Sequence, residues 1–354
     1  MRSRFAARLA AAASAGAVAL ALTACDNPQQ GGSAEGEGEG EGGADIRVGL
    51  AYDIGGRGDK SFNDSAYQGL QRVEEELGIG EVKDLEPNPD EPDSAKIDRL
   101  RLMADQGFDV VIGVGYAYAE PMREVAPEFP DTHFAIVDEE IDDVDNVTSL
   151  VFAEEQASFL AGVAAALKTE EDHVGFVGGV ETRLIHKFEA GYAAGVEHVD
   201  PGIEIERQYL TQPPDMQGFQ DPGAGKSAAK SQIDRGADVV YHAAGASGTG
   251  VLEAVAEEEA LFIGVDSDQY ENASDEQKPY VVTSAMKRVD NAVFDFVSSV
   301  AEGEPQTGVQ RFDLASGGVG YADSNEEQIA DVREELDEAE QQIIDGEIEV
   351  PTEP

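Results

Sequence analysis

Side chains able to do chemistry are plentiful in this sequence, yet the familiar catalytic spacings are each short of one residue. Gly225-Lys226-Ser227 has the ending of a phosphate-binding loop, but Gln220 stands where that loop needs its first glycine and no strand leads into it. Gly113-Val114-Gly115 opens a dinucleotide fingerprint whose last glycine is replaced by Tyr118, so close approach of a pyrophosphate is not provided for. In Gly245-Ala246-Ser247-Gly248-Thr249, Thr249 takes the place of the closing glycine of a hydrolase elbow. His133, His173, His186, His198 and His242 are scattered, with none of the close helical spacing of a metal pair. Cys25 is the only cysteine, which excludes a Cys-based zinc site and an intrachain disulfide. Glu154-Glu155 and Glu257 to Glu259 read as solvated helix faces, because nothing near them in sequence would hold one carboxyl protonated. The expectation is a protein without catalysis, metal or cofactor.

Charge narrows the partners. With 24 basic against 73 acidic residues the formal net charge is -49, which repels nucleic acid, whose recognition depends on Lys and Arg displacing counterions. A chain of 354 residues that is 41% apolar is long enough for two domains with cores of their own. Only nine of the basic residues are lysine, and this acid-rich, lysine-poor balance is typical of proteins working in high salt, where counterions screen self-repulsion.

The amino terminus reads as an address. Arg2, Arg4 and Arg8 precede the uncharged, Ala-rich run Leu9 to Leu22, a signal peptide too short to span a bilayer comfortably. Leu22-Thr23-Ala24-Cys25 resembles the bacterial lipobox, which predicts cleavage after residue 24 and lipidation of Cys25. Two or more acyl chains anchor a protein far better than one, so the expected place is the outer face of the cell membrane. Residues 25–44, with the EGEGEGEGG run, read as a flexible acidic tether. Losing the three signal arginines takes the charge from -49 to -52.

From Ile46 onward, short β-branched runs alternate with longer amphipathic ones, the pattern of doubly wound α/β domains with parallel sheets. Strands are predicted at 46–52, 109–114, 133–137, 147–152, 173–177, 203–209, 238–242, 261–265 and 280–284, and helices at 61–77, 94–106, 155–167, 183–199, 225–235, 249–258 and 287–301. The pattern also repeats. Phe62, Gly69 and Val73 recur as Phe188, Gly195 and Val199; Gly107 to Val111 recurs as Gly236 to Val240; Phe134 and Asp138 recur as Phe262 and Asp266. Two lobes of one architecture follow, their strand carboxyl ends forming opposite walls of a cleft. One wall carries Asp53, Phe62, Gly115-Tyr116 and Asp138; the other carries Gly178-Gly179, Phe188, His242 to Gly245 and Asp266. Such a cleft has aromatic faces and carboxylates but no clear nucleophile.

The stretches GDKSFNDSAYQGL (58–70), ADQGFDVVIGVGYAYAEPM (104–122), HKFEAGYAAGV (186–196), GADVVYHAAGASGTGV (236–251), IGVDSDQY (263–270) and SAMKRVDNAV (284–293) closely resemble the basic membrane lipoproteins, or PnrA-like family. That resemblance implies a type I periplasmic-binding-protein fold, with lobe one at 45–150 plus about 282–310 and lobe two at 151–281 plus about 311–354. It also implies a monomeric receptor that binds purine nucleosides and hands them to an ABC permease driven by its ATPase. By motif, Phe62 and Asn63 match the first stacking residue and its amide neighbour, Asp53 and Asp138 match cleft aspartates, and Asp266 with Lys287 matches the ribose pair. For the second stacking face two positions stand open: Phe188, the repeat mate of Phe62, and the stretch Tyr241-His242, which aligns better with the family. Tyr116 and Gly245 complete the expected lining. Another small solute, a sensing role, or a nucleoside hydrolase are the alternatives.

Overall fold

A computed structural model describes residues 46–88 and 91–354. The expected signal peptide, Cys25 and the tether lie outside the described residues. The first lobe begins with β1 (Arg47–Ala51), α1 (Phe62–Glu76), β2 (Glu81–Leu85), α2 (Asp93–Asp105), β3 (Val110–Gly113), α3 (Ala119–Val125), β4 (His133–Val137) and β5 (Val147–Phe152). The second holds α4 (Glu154–Lys168), β6 (His173–Val180), α5 (Arg183–Val199), β7 (Glu204–Thr211), α6 (Pro222–Asp234), β8 (Val239–Ala243), α7 (Gly248–Glu257), β9 (Leu261–Asp266), α8 (Gln269–Asn272) and β10 (Val281–Lys287). The chain then returns to the first lobe with α9 (Val289–Ala301) and β11 (Gly308–Phe312), and ends on the second with β12 (Val319–Tyr321), α10 (Glu326–Ile329) and α11 (Arg333–Ile344).

Two six-stranded sheets result, ordered β11-β5-β4-β3-β1-β2 and β12-β10-β9-β8-β6-β7. The first is parallel throughout; in the second only β12 runs antiparallel, along β10. Burial explains why the inner strands read as continuous apolar runs: β3, β5 and β8 are buried at every position, so both faces of each strand meet helices. The edges β2 and β11 are half exposed and polar (EVKDL and GVQRF), which is why no apolar run marks them. One apolar cluster includes Val48, Val110 and Phe152 of the first lobe and Leu160, Phe176 and Val265 of the second, so the two lobes share a core.

The repeat reappears as helix pairs. Gly69 lets α1 lie directly on α9, since a Cβ there would collide with the Asp290 carbonyl; Gly195 does the same for α5 on α4, against the Phe159 carbonyl. Close backbone approach of this kind is a packing role only glycine fills.

Two boundaries differ from expectation. Residues 282–287 belong to the second sheet, because β10 is sandwiched between β9 and β12 and buried along nearly its whole length. Residues 311–312 stay with the first sheet, where β11 pairs with β5 through Phe312. The helix predicted from Lys287 starts at Val289, so Lys287 ends a strand. Crossings therefore fall near Ala153, Arg288 and between β11 and β12.

Candidate functional site

Strand ends on both sheets point into a cavity of about 70 Å³ between the lobes. The first lobe contributes Asp53 after β1, Asp59, Phe62 and Asn63 at the start of α1, Gly115 and Tyr116 after β3, and Asp138 after β4. The second contributes Leu184, Ile185 and Phe188 from α5, Phe219, Gly245 and Ala246 from short 3-10 turns, Asp266 at the end of β9 and Lys287 at the end of β10. Tyr116, Asp138 and Leu184 also border a vestibule of about 1040 Å³ on the α5 side. At Gly115, φ is +98° and a Cβ would run into the Asp53 carboxylate, so only glycine holds that aspartate in place.

Lys287 is the electrostatic centre. It is 3% exposed, and its ammonium lies 2.6 Å from Asp138 Oδ2, 3.8 Å from Glu154 Oε1 and 3.9 Å from Asp266 Oδ1. The same nitrogen stands 4.6 Å from the Phe62 ring centroid and 5.6 Å from that of Phe188. Asp138 and Asp266, repeat mates in sequence, both adopt left-handed backbone, φ +70° and +64°, at the carboxyl ends of pseudo-equivalent strands. Burial would lower the lysine, but Asp138, Asp266 and Glu154 outweigh it and hold its pKa above the ordinary value. Burial pushes Asp138 up, to about 7, against the Lys287 ammonium that favours its charged form. Asp266 is raised for the same reason, with Lys287 and the Ser61 hydroxyl opposing. Asp138 and Asp266 thus share one buried ammonium, which offsets only part of the cost of burying both as anions. Asp138 Oδ1 and Glu154 Oε1 are buried and no protein donor reaches them.

On the first wall, Asn63 is wedged between two aspartates: its Oδ1 accepts from the Asp53 amide at 3.2 Å and its Nδ2 donates to Asp59 Oδ2 at 3.0 Å. Asp59 also accepts from the amides of Ser61, Asn63 and Asp64, which binds the loop onto the amino end of α1. Burial raises both Asp53 and Asp59 to about 6. The arrangement offers hydrogen-bond acceptors and donors, aromatic faces and one cation.

The comparisons with known proteins agree with this architecture. Residues 46–353 match the family described as ABC transporter substrate-binding protein PnrA-like (Bmp). The chain belongs to this PnrA-like family. A CD4+ T-cell-stimulating antigen of Listeria monocytogenes is 36% identical over 88% of this chain and 89% of its own length. The ABC transporter nucleoside-binding protein BmpA of Lactococcus lactis is 32% identical over 87% of this chain and 90% of its own. Among solved structures, an ABC transporter solute-binding protein of Aeropyrum pernix superposes with a TM-score of 0.76 at 29% identity, covering 87% of this chain and 93% of that one. A PnrA-like chain is thus a substrate-binding protein of an ABC transporter with the type I fold, and the family is one of receptors, not enzymes.

Of the residues singled out in the sequence, Asp53, Phe62, Asn63, Tyr116, Asp138, Phe188, Gly245, Asp266 and Lys287 all line the cavity of this PnrA-like protein. Tyr241 and His242 do not. Both lie in β8, covered on its two faces: Tyr241 packs 5.0 Å from the Tyr192 ring and shares a 2.9 Å hydrogen bond with Ser158 Oγ, while His242 packs 5.3 Å from Phe262. Gln269 Oε1 accepts from His242 Nε2 at 2.8 Å, and burial lowers this histidine to about 4, so it is a neutral core residue. Glu154 and Glu155 are not solvated either; they are 1% and 3% exposed, Glu154 paired with Lys187 at 3.0 Å and Glu155 with Arg311 at 2.9 Å. Gly225-Lys226-Ser227 lies inside α6, and Lys226 pairs with Glu253 and Glu257 of α7. Sequence reasoning missed Asp59, Phe219, Leu184 and Ile185; Asp59 alone carried a signal, an acid four residues before Asn63 at a helix entry.

Proposed function

We propose that the cleft binds purine nucleosides, which a cognate permease and ATPase then move across the membrane. The observation that carries this reading is the placement of Phe62 and Phe188 on the two walls of one cavity, with Lys287 and the carboxylates of Asp138 and Asp266 between the lobes. Aromatic faces give a planar base a large contact area at little entropic cost. Vicinal sugar hydroxyls are donors that match carboxylate acceptors, and an adjacent ammonium donates to the same sugar while keeping a carboxylate charged. Asp53, Asn63 and Tyr116 face the base edge in this reading, and Gly245 leaves the backbone of the opposite wall open to it. The nucleoside-binding relative from Lactococcus lactis supports the ligand class. Calorimetry tests it: inosine, guanosine or adenosine should bind and raise the melting temperature by mass action, whereas ribose and glucose should not. Heat from ribose alone would replace the nucleoside reading with a sugar-binding one.

Retention at the membrane is the second part of the proposal. Lipidation at Cys25 would hold the receptor on the outer face beside its permease, in keeping with relatives named lipoproteins in Pyrococcus species. Among the described residues no helix is long and apolar enough to cross a membrane. Cys25→Ser should abolish incorporation of labelled fatty acid; equal labelling of variant and wild type would remove the anchor.

A further inference from the structure

Ser61 stands at the N-cap of α1, where a serine hydroxyl ordinarily accepts from the first helical amides. Here it caps nothing, because Asp59 has taken those amides. The freed side chain is fully buried and crosses to the other lobe, where Oγ donates to Asp266 Oδ2 at 2.6 Å. The contact is reinforced from both directions: Ser267 Oγ donates to the Ser61 carbonyl at 2.7 Å, Gln269 Nε2 to the Lys60 carbonyl at 3.3 Å, and Lys60 Nζ to the Asn272 carbonyl at 3.1 Å. Lys60 holds φ +54°, which turns both residues toward the second lobe.

We propose that Ser61 is a positioning residue that acts through Asp266. Its hydroxyl fixes one carboxylate oxygen at the lobe boundary, so the other oxygen, Oδ1, faces Lys287 and the cavity only when the lobes are shut. Closure and sugar recognition then become a single event, because the carboxylate that grips the ligand is oriented by the opposite lobe. This rests on the nucleoside reading for its ligand, though not for the latch itself. The repeat mate of Ser61 is Lys187, which pairs with Glu154 of its own lobe and lies beside the vestibule. Among the described residues, the α1 side carries this hydroxyl-to-carboxylate latch and its repeat mate on α5 does not.

The test is a cycle of Ser61→Ala, Ser61→Thr, Asp266→Ala and the double variant, titrated with inosine. Loss of a hydrogen bond to a charged group should weaken Ser61→Ala by about 10- to 100-fold, and Ser61→Thr should recover most of that. In the Asp266→Ala background the serine change should cost no more than about 2-fold. Wild-type affinity in Ser61→Ala, or the same fold-loss in both backgrounds, would overturn the proposal. A ligand-free readout separates it from the nucleoside reading: with one spin label on each lobe, Ser61→Ala should populate longer interlobe distances than wild type. If inosine gives no heat with wild type, the nucleoside reading fails and the distances alone decide; an unchanged distribution then removes the latch.

Discussion

Phe62 is the first residue of α1, whereas its repeat mate Phe188 is preceded by more than a turn of α5, which starts at Arg183. In the first lobe the intervening chain is a loop capped by Asp59, and its last residue, Ser61, reaches across to the other lobe. In the second lobe the helix begins earlier, capped by Thr182 through the Ile185 amide, and Lys187 is one of its exposed-side residues. Duplication has kept the aromatic and the strand-end aspartate and let the approach to the aromatic diverge. The loop side is sealed by interlobe hydrogen bonds, and the helical side opens on the vestibule. The asymmetry distinguishes the two walls: one is tied to the opposite lobe, the other borders the vestibule.

The strongest way to break both walls at once is to remove the cation they share. Lys287→Met should destabilise the fold by about 3–5 kcal/mol, because it leaves buried carboxylates without a counter-charge, and chemical denaturation reads this directly. Next, Phe62→Ala and Phe188→Ala separate binding from packing. Each should cost ~1–3 kcal/mol of nucleoside affinity in calorimetry, but Phe188, 4% exposed against a half-buried Phe62, should lose more melting temperature.

The pH response sets the buried acids against one histidine, since Asp266 on the second-lobe wall is raised by burial as the first-lobe aspartates are. Asp53 and Asp59 near 6 and Asp138 near 7 are all in the first lobe, and each binds a proton more readily folded than unfolded. Their contribution is complete below the ordinary aspartate range and is lost as pH rises through about 6 to 7. His242 in the second lobe, near 4, behaves oppositely: its contribution is present above about 6.5 and lost as pH falls toward 4. The ligand-free melting temperature should therefore climb from pH 8 to pH 6, and His242→Gln should extend the climb below pH 6. A flat profile in wild type would show that the three aspartates keep ordinary values in the fold. The last expected effect is that of Lys187→Ala: it removes the 3.0 Å partner of a Glu154 carboxylate that is 1% exposed, with Lys287 at 3.8 Å left as its counter-charge, so the loss in stability should stay below that of Lys287→Met, at ~1–3 kcal/mol.

Much of the site was legible because the repeat marked it. Phe188 and Asp266 are found by offset from Phe62 and Asp138, without any knowledge of what they bind. The inner strands were legible because burial on both faces writes an uninterrupted apolar run, while β2, β11 and β12 sit at edges where only a few positions face the core. Glu154 and Glu155 were misread for a reason of distance: their partners Lys287 and Arg311 come from parts of the chain more than a hundred residues later. Tyr241-His242 was misread because neighbours in a central strand point to opposite faces, and in β8 both faces are core. Phe219 reaches the cavity from a single 3-10 turn, Gln217–Phe219, too short for periodicity to give a sign of burial.

The first sheet is finished only when β11 docks on β5, and Thr148 Oγ1 waits for the Gln306 carbonyl across a separation of 158 residues. During synthesis the β-branched strand Val147–Phe152 is made early and its outer rim is satisfied only when β11 follows. Such long-range closure is slow, and an unpaired rim of this composition is a template for wrong partners. A chain broken off before Gly308 would keep nearly every ligand-facing residue yet fail as a receptor, through aggregation along that rim before binding is ever in question.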